Sequence, residues 1–140
     1  MSSYVLDTDI VGFVQQAHPT VLQHLQTMSL TDTVATTIVT MEEDIGGWLP
    51  ACRRAQDGVA RMQAYTRLQK ALLFYQRIAW LPFSDAAATI FDQLRAKKLR
   101  LGTNDLCIAA ITLSVSGVLV TRNSKDFCRI PDLTLQDWTI

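Results

Sequence analysis

The chain has 140 residues, 49% of them hydrophobic and 19% charged, with six glycines and four prolines; this suits one globular domain over residues 1–140 and excludes a disordered or fibrous chain. Thirteen Lys and Arg balance thirteen Asp and Glu, so bulk charge supplies no grip on nucleic acid, which needs clustered cations that release phosphate counterions. The charges are nonetheless segregated: no Lys or Arg precedes Arg53, whereas Asp7, Asp9, Asp32, Glu42, Glu43 and Asp44 all do, so acidic and basic surfaces can face each other.

Tyr4 to Leu6 reads as a short strand, and Thr8 to about Ala17 as a helix that Asp9 can open and "HPT" at His18 to Thr20 stops. A second helix follows from Pro19 to Met28. The β-branched run Thr33 to Thr37 predicts a strand, with helical pattern resuming near Thr40. Gly46, Gly47 and Pro50 weaken that third helix, since against Ala a glycine costs about 1 kcal/mol and an interior proline about 3. A kink near Pro50 is expected.

From Asp57 the residues Val59, Met62, Tyr65, Leu68, Leu72 and Tyr75 recur at steps of three and four, an amphipathic helix whose apolar stripe either packs in the core or forms a partner groove. Ile78 to Phe83 is strand-like. Ser84 can cap a helix to roughly Lys98, Gly102 breaks the pattern, and Thr103 or Asn104 can cap the next helix to about Val115. Gly117 to Thr121 reads as a buried strand, and "LTLQDW" holds a last short one. Strands alternating with helices predict an α/β fold with parallel pairing.

Cys52, Cys107 and Cys128 are odd in number and lack zinc-site spacing, so they are expected to be reduced and buried. The first residues lack the basic start and long apolar core of a signal peptide, and the uncharged part of Leu106 to Thr121 is shorter than the roughly 20 residues a membrane span needs. No membrane association and a cytoplasmic location are the default expectations.

In open α/β sheets ligands bind beyond the carboxyl ends of the strands. Asp7 follows the first strand, Glu43 lies early in the helix after the second, Asp105 opens the helix behind "LGTN", and Asp126 lies after "GVLVT", with Asn123 three residues earlier as a neutral oxygen donor. Singly, each has an ordinary explanation as a first-turn acid or turn residue. Together, converging carboxylates would repel one another by about 4 kcal/mol per pair at 4 Å and an effective dielectric near 20. An all-oxygen set of this kind selects Mg²⁺ or Mn²⁺, ions suited to phosphodiesters because they acidify water and neutralise phosphoryl oxygens.

Four stretches, "YVLDTDI", "IVTMEEDIGGW" (Ile38 to Trp48), "LGTNDLCIAA" (Leu101 to Ala110) and "LVTRNSKDF" (Leu119 to Phe127), closed by "LTLQDW", resemble the PIN-domain ribonucleases and more narrowly the VapC-type toxins of bacterial toxin–antitoxin pairs. The resemblance implies a three-layer α/β/α sandwich with a mainly parallel central sheet, Mg²⁺ or Mn²⁺ dependence, an RNA substrate, homodimerisation and inhibition by a cognate antitoxin. It places the first metal acid at Asp7 and the third at Asp105. The second falls on Glu43 rather than Glu42, because Thr40 and Gly47 match the usual frame around that glutamate. The fourth position falls on Asn123 or, through a water, on Asp126. Thr121 resembles the hydroxyl that orders the acidic loop. Asp9 stands where Asn is common, adding either charge to the metal site or a helix cap.

The expected activity is therefore metal-dependent endoribonuclease cleavage by Asp7, Glu43, Asp105, Asn123, Asp126 and Thr121. Arg122, Lys125 and the segment containing Arg95, Lys97, Lys98 and Arg100 are candidate phosphate contacts, or else a solvated helix face. Two other readings stay open: a haloacid-dehalogenase-like phosphatase with Asp7 as nucleophile and Asp9 as acid, for which a later acidic pair is missing, and a non-catalytic PIN-like binding module.

Overall fold

The computed structural model describes residues 1–140. Five strands, β1 (Ser3–Leu6), β2 (Thr33–Thr37), β3 (Ala79–Leu81), β4 (Val118–Val120) and β5 (Thr134–Gln136), form one sheet in the order β3-β2-β1-β4-β5, and every pairing is parallel. Helices α1 (Thr8–Gln15), α2 (Pro19–Gln26), α3 (Ile38–Arg54), α4 (Gly58–Arg77), α5 (Asp85–Ala96), α6 (Thr103–Ser114) and α7 (Ser124–Phe127) connect them. Alternating strand residues feed two cores. Val5 and Leu119 pack with Ala87, Leu94, Ile108 and Ile111, whereas Leu6 and Val120 pack with Ile10, Val11, Val21 and Tyr75. This period of two puts helices on both faces and gives the expected three layers.

The strand order turns back at the central strands: from β1 the chain adds β2 and β3 on one side, then β4 and β5 on the other. A crevice for ligands opens at such a switch point, beyond the carboxyl ends of the strands. Asp7 follows β1 there and Thr121 follows β4. The Asp7 N–H still bonds the Val120 carbonyl at 2.9 Å, so the two loops leave the sheet side by side.

Several element expectations need correction. Asp7, not Asp9, caps α1, because the sheet bond to Val120 holds Asp7 extended and its carboxylate accepts the Thr8 N–H. Helix α3 starts at Ile38 with Thr37 as its cap, earlier than Thr40, and it runs on through Pro50 to Arg54. Helix α6 has Gly102 at its cap position, so neither Thr103 nor Asn104 performs that role. Of the stripe on α4 only Tyr75 is buried. Val59, Met62, Tyr65 and Leu72 are 45–64% exposed, while Ala64, Ala71 and Tyr75 make the buried face. Helical periodicity identifies an apolar face without saying what covers it. Of the cysteines only Cys52 is buried; Cys107 is half-buried and Cys128 exposed. No helix is long and apolar enough to cross a membrane.

Candidate active site

Asp7 is the centre of the site. Only 6% exposed, it receives the Thr8 N–H on Oδ1 at 2.8 Å and the Thr121 hydroxyl on Oδ2 at 2.7 Å. Burial, with the charge of Asp9 next and that of Asp105 last, pushes its carboxyl up to about 7 against the two hydrogen bonds that favour the ionised form. Thr121, fully buried, also accepts the Asn123 N–H at 2.9 Å, so one hydroxyl fixes both the first acid and the loop after β4.

Glu43 reaches the same edge from α3. Its Oε1 accepts the Thr8 hydroxyl at 2.8 Å, and that hydroxyl also lies 3.0 Å from the Thr40 hydroxyl. Glu42, about 100° further round the helix, is exposed. Asp105 is half-buried in the first turn of α6, and its carboxyl is raised by burial and then by the charges of Glu43, Asp126 and Asp9. Asp126 takes the Asn123 side-chain amide on Oδ2 at 3.1 Å and pairs loosely with Arg129 at 3.8 Å. Asp9 hangs its Oδ2 on the Arg122 N–H at 3.2 Å, while its buried Oδ1 has no hydrogen-bond partner.

The structure thus puts Asp105 within reach of the charges of Asp7, Glu43, Asp126 and Asp9, with Asn123 bonded to Asp126 and Thr121 to Asp7. The sole ion pair of the chain is the loose one from Arg129 to Asp126, and the Arg122 charge favours ionised Asp9, whereas Asp7, Glu43 and Asp105 have no cationic side chain paired with them. In this arrangement no three carboxylates, imidazoles or thiols stand close enough to share one ion directly. Mg²⁺ uses one or two carboxylates and keeps several waters. The mutual repulsion, the all-oxygen donors and the orphaned Asp9 Oδ1 therefore fit a hydrated hard cation.

The basic candidates are less organised. Arg122 stacks over Phe13, 5.6 Å from the ring centre, close to Asp9. Lys125 is exposed on α7. Arg95 lies against Phe91 at the end of α5, and Lys97, Lys98 and Arg100 are exposed beyond it without ionic partners, as a solvated surface is. Two features escape sequence reading. Thr8 orients Glu43, for which its place between Asp7 and Asp9 is the only available signal. Asp44 gathers the side chains of Gln15, Trp48 and Tyr75 at 3.0, 3.2 and 2.8 Å, a set scattered over three helices.

No family model matches the chain. It is 30% identical to Ribonuclease VapC2 of Rickettsia felis over 96% of this chain and 97% of that protein, and 30% identical to Ribonuclease VapC1 of Haemophilus influenzae over 97% and 98%. Among solved structures it resembles VapBC2 from Rickettsia felis bound to a promoter DNA fragment, with a TM-score of 0.77 at 28% identity over 97% of this chain and 98% of that one. VapBC-1 from nontypeable Haemophilus influenzae gives a TM-score of 0.78 at 26% identity over 99% of both chains.

Proposed function

The chain belongs to the VapC ribonuclease family, and on that premise we propose that it cleaves RNA phosphodiester bonds at the acid cluster and is neutralised by a cognate antitoxin. The observation that carries the reading is the approach of Asp7, Glu43 and Asp126 to Asp105 from four separate chain segments, with no ion pair to Asp7, Glu43 or Asp105. Curated relatives that are ribonucleases by name displace the dehalogenase-like reading of "LDTDI".

Asp7, Glu43 and Asp105 would hold Mg²⁺ or Mn²⁺ in part through its waters, with Asn123 and Asp126 acting on the remaining waters. When bound, the ion supplies Lewis acidity to the phosphoryl oxygens and acidifies the attacking water. The chain's own groups set the geometry. Thr121 and the Thr8 N–H hold Asp7 with both oxygens directed, the Thr8 hydroxyl turns Glu43 toward the cluster, and Asn123 holds Asp126. Arg122 and Lys125, exposed beside these acids, would meet the phosphates of an incoming strand. The exposed apolar face of α4 would be covered by a second copy of the chain or by the antitoxin.

The test is cleavage of single-stranded RNA by the purified chain in titrations of Mg²⁺ and Mn²⁺, with EDTA as control. Cleavage that requires the ion and stops on Asp7→Asn supports the reading. RNA binding without cleavage at any metal concentration would favour the binding-module alternative.

A further inference from the structure

Beside the acid cluster lies a second cavity, of about 380 Å³, between α1, α3 and α4. Its walls carry Trp48, Phe74, Arg67 and Lys70, with Asp44 and Gln15 at its edge. Asp44 and Gln15 also line a hollow of about 210 Å³ that contains Thr8 and Glu43. The two spaces therefore adjoin across the hydrogen-bonded pair Gln15 and Asp44, with the acids on one side and the aromatic wall on the other.

The electrostatics of this region are unusual for the chain. The first half of the sequence supplies no Lys or Arg before Arg53, and α4 brings Arg67 and Lys70 back against it. Neither cation forms an ion pair, although Asp44 shares the cavity. Asp44 is already occupied: Oδ1 takes the Trp48 indole N–H, and Oδ2 takes the Gln15 amide and the Tyr75 hydroxyl. Its oxygens are taken up by these three neutral donors, and the two cations remain unpaired. The Arg67 guanidinium lies 5.6 Å from the centre of the Trp48 ring, so a cation and an aromatic plane are presented as one unit.

Resting on the ribonuclease reading above, we propose that this cavity is a nucleotide subsite: it holds a residue of the RNA strand flanking the bond at the acids, with the base against Trp48 and Phe74 and its phosphate on Arg67 and Lys70. Aromatic stacking accepts any base because each has a π-face, while lysine and arginine on the phosphate add affinity that salt weakens. The subsite fixes the strand's path past Glu43 and sets no base preference of its own.

The experiment measures RNA affinity separately from cleavage. The Asp7→Asn protein is titrated against a fluorescein-labelled single-stranded RNA of mixed sequence, alone and combined with Arg67→Ala plus Lys70→Ala, with Trp48→Ala, or with Trp48→Phe. The double charge removal should weaken binding about 10-fold or more and flatten the plot of log K against log salt by about 0.7 per lost contact. Trp48→Ala should weaken binding about 10-fold, and Trp48→Phe, which keeps an aromatic face, should restore most of it. Unchanged affinity and salt slope in the double variant would overturn the subsite, as would variants that bind RNA normally but escape the antitoxin, since the cavity would then serve the protein partner. If the unmodified chain cuts no RNA while these variants still lose RNA affinity, the ribonuclease reading falls and the subsite stands.

Discussion

The Thr121 hydroxyl donates a 2.7 Å hydrogen bond to Asp7 Oδ2 across 114 residues of sequence, in a fully buried position. The same oxygen accepts the Asn123 N–H, so a single side chain locks the loop after β4 to the acid after β1. Thr121→Val removes the donor that stabilises ionised Asp7 and leaves the Asn123 amide unpaired, a penalty of about 1–3 kcal/mol. Stability should fall by that amount, and the acid limb of the pH–rate profile should move to higher pH. Thr121→Ser should restore both. An unmoved profile in Thr121→Val would show that the hydroxyl does not act on Asp7.

Asp7 also makes stability depend on pH. Its carboxyl holds a proton up to about 7 in the folded metal-free chain, against 3.8 for an ordinary aspartate. Folding is therefore favoured by this group below the ordinary value, and that contribution is lost as pH rises toward 7. Across the window the loss is on the order of 4 kcal/mol. Metal-free protein should be more stable at pH 5 than at pH 8 by about 3 kcal/mol of this contribution, and Asp7→Asn should flatten the trend, raise the melting temperature at pH 8 and abolish cleavage. Thermal melts in EDTA across pH would decide it, and an Asp7→Asn protein as pH-sensitive as its parent would exclude Asp7 as the source.

The adjacent glutamates separate cleanly. Glu43 is held by Thr8 whereas Glu42 is exposed. Glu43→Gln should lose nearly all RNA cleavage and Glu42→Gln should cleave normally. Thr8→Val should lie between them, because it frees Glu43 without removing it. Equal rates for the two glutamine variants would reject the assignment.

At the fourth position, Asn123 and Asp126 are joined at 3.1 Å and work as a pair. Groups that act on a metal through its waters typically contribute 10–100-fold to metal affinity or activity. Asp126→Asn and Asn123→Ala should each lower activity by about that factor and raise the Mg²⁺ concentration needed for half-maximal rate, with Asn123→Asp remaining active. Metal titrations in which both variants match the unmodified chain would leave the site on Asp7, Glu43 and Asp105.

The exposed face of α4 makes a separate expectation. Met62→Glu and Leu72→Glu change residues that touch little of the core, so stability should stay within about 0.5 kcal/mol. Self-association in sedimentation velocity, or the affinity of the antitoxin, should fall. Retention of both would leave this face without a partner.

The strands and the six longer helices were legible in the sequence, as were the candidate acids, whereas α7 stands where a loop was expected around Asp126. Runs such as Thr33 to Thr37 and the helical spacing after Asp57 are local signals, and an acid directly behind a strand of a parallel sheet, as Asp7 is, lies near the binding edge by topology alone, whereas Asp105 opens α6 after another helix and meets the other acids only in the folded chain. Tertiary structure decided what local signals leave undetermined. Which of two neighbouring aspartates caps α1 depends on where β1 stops, and the bond from Asp7 to Val120 on another strand sets that. The α4 stripe was apolar by spacing, yet its burial depends on what packs against it, and of its residues the core took Tyr75, together with Ala64 and Ala71 from outside the stripe. The threonine that aims Glu43, the aspartate that gathers Gln15, Trp48 and Tyr75, and the cations facing Trp48 are each brought together from separate helices. Apart from Asp44 and Trp48, which are one turn apart on α3, these partners lie far apart along the chain, so no short window of sequence contains the contact, and only the closed fold brings them together.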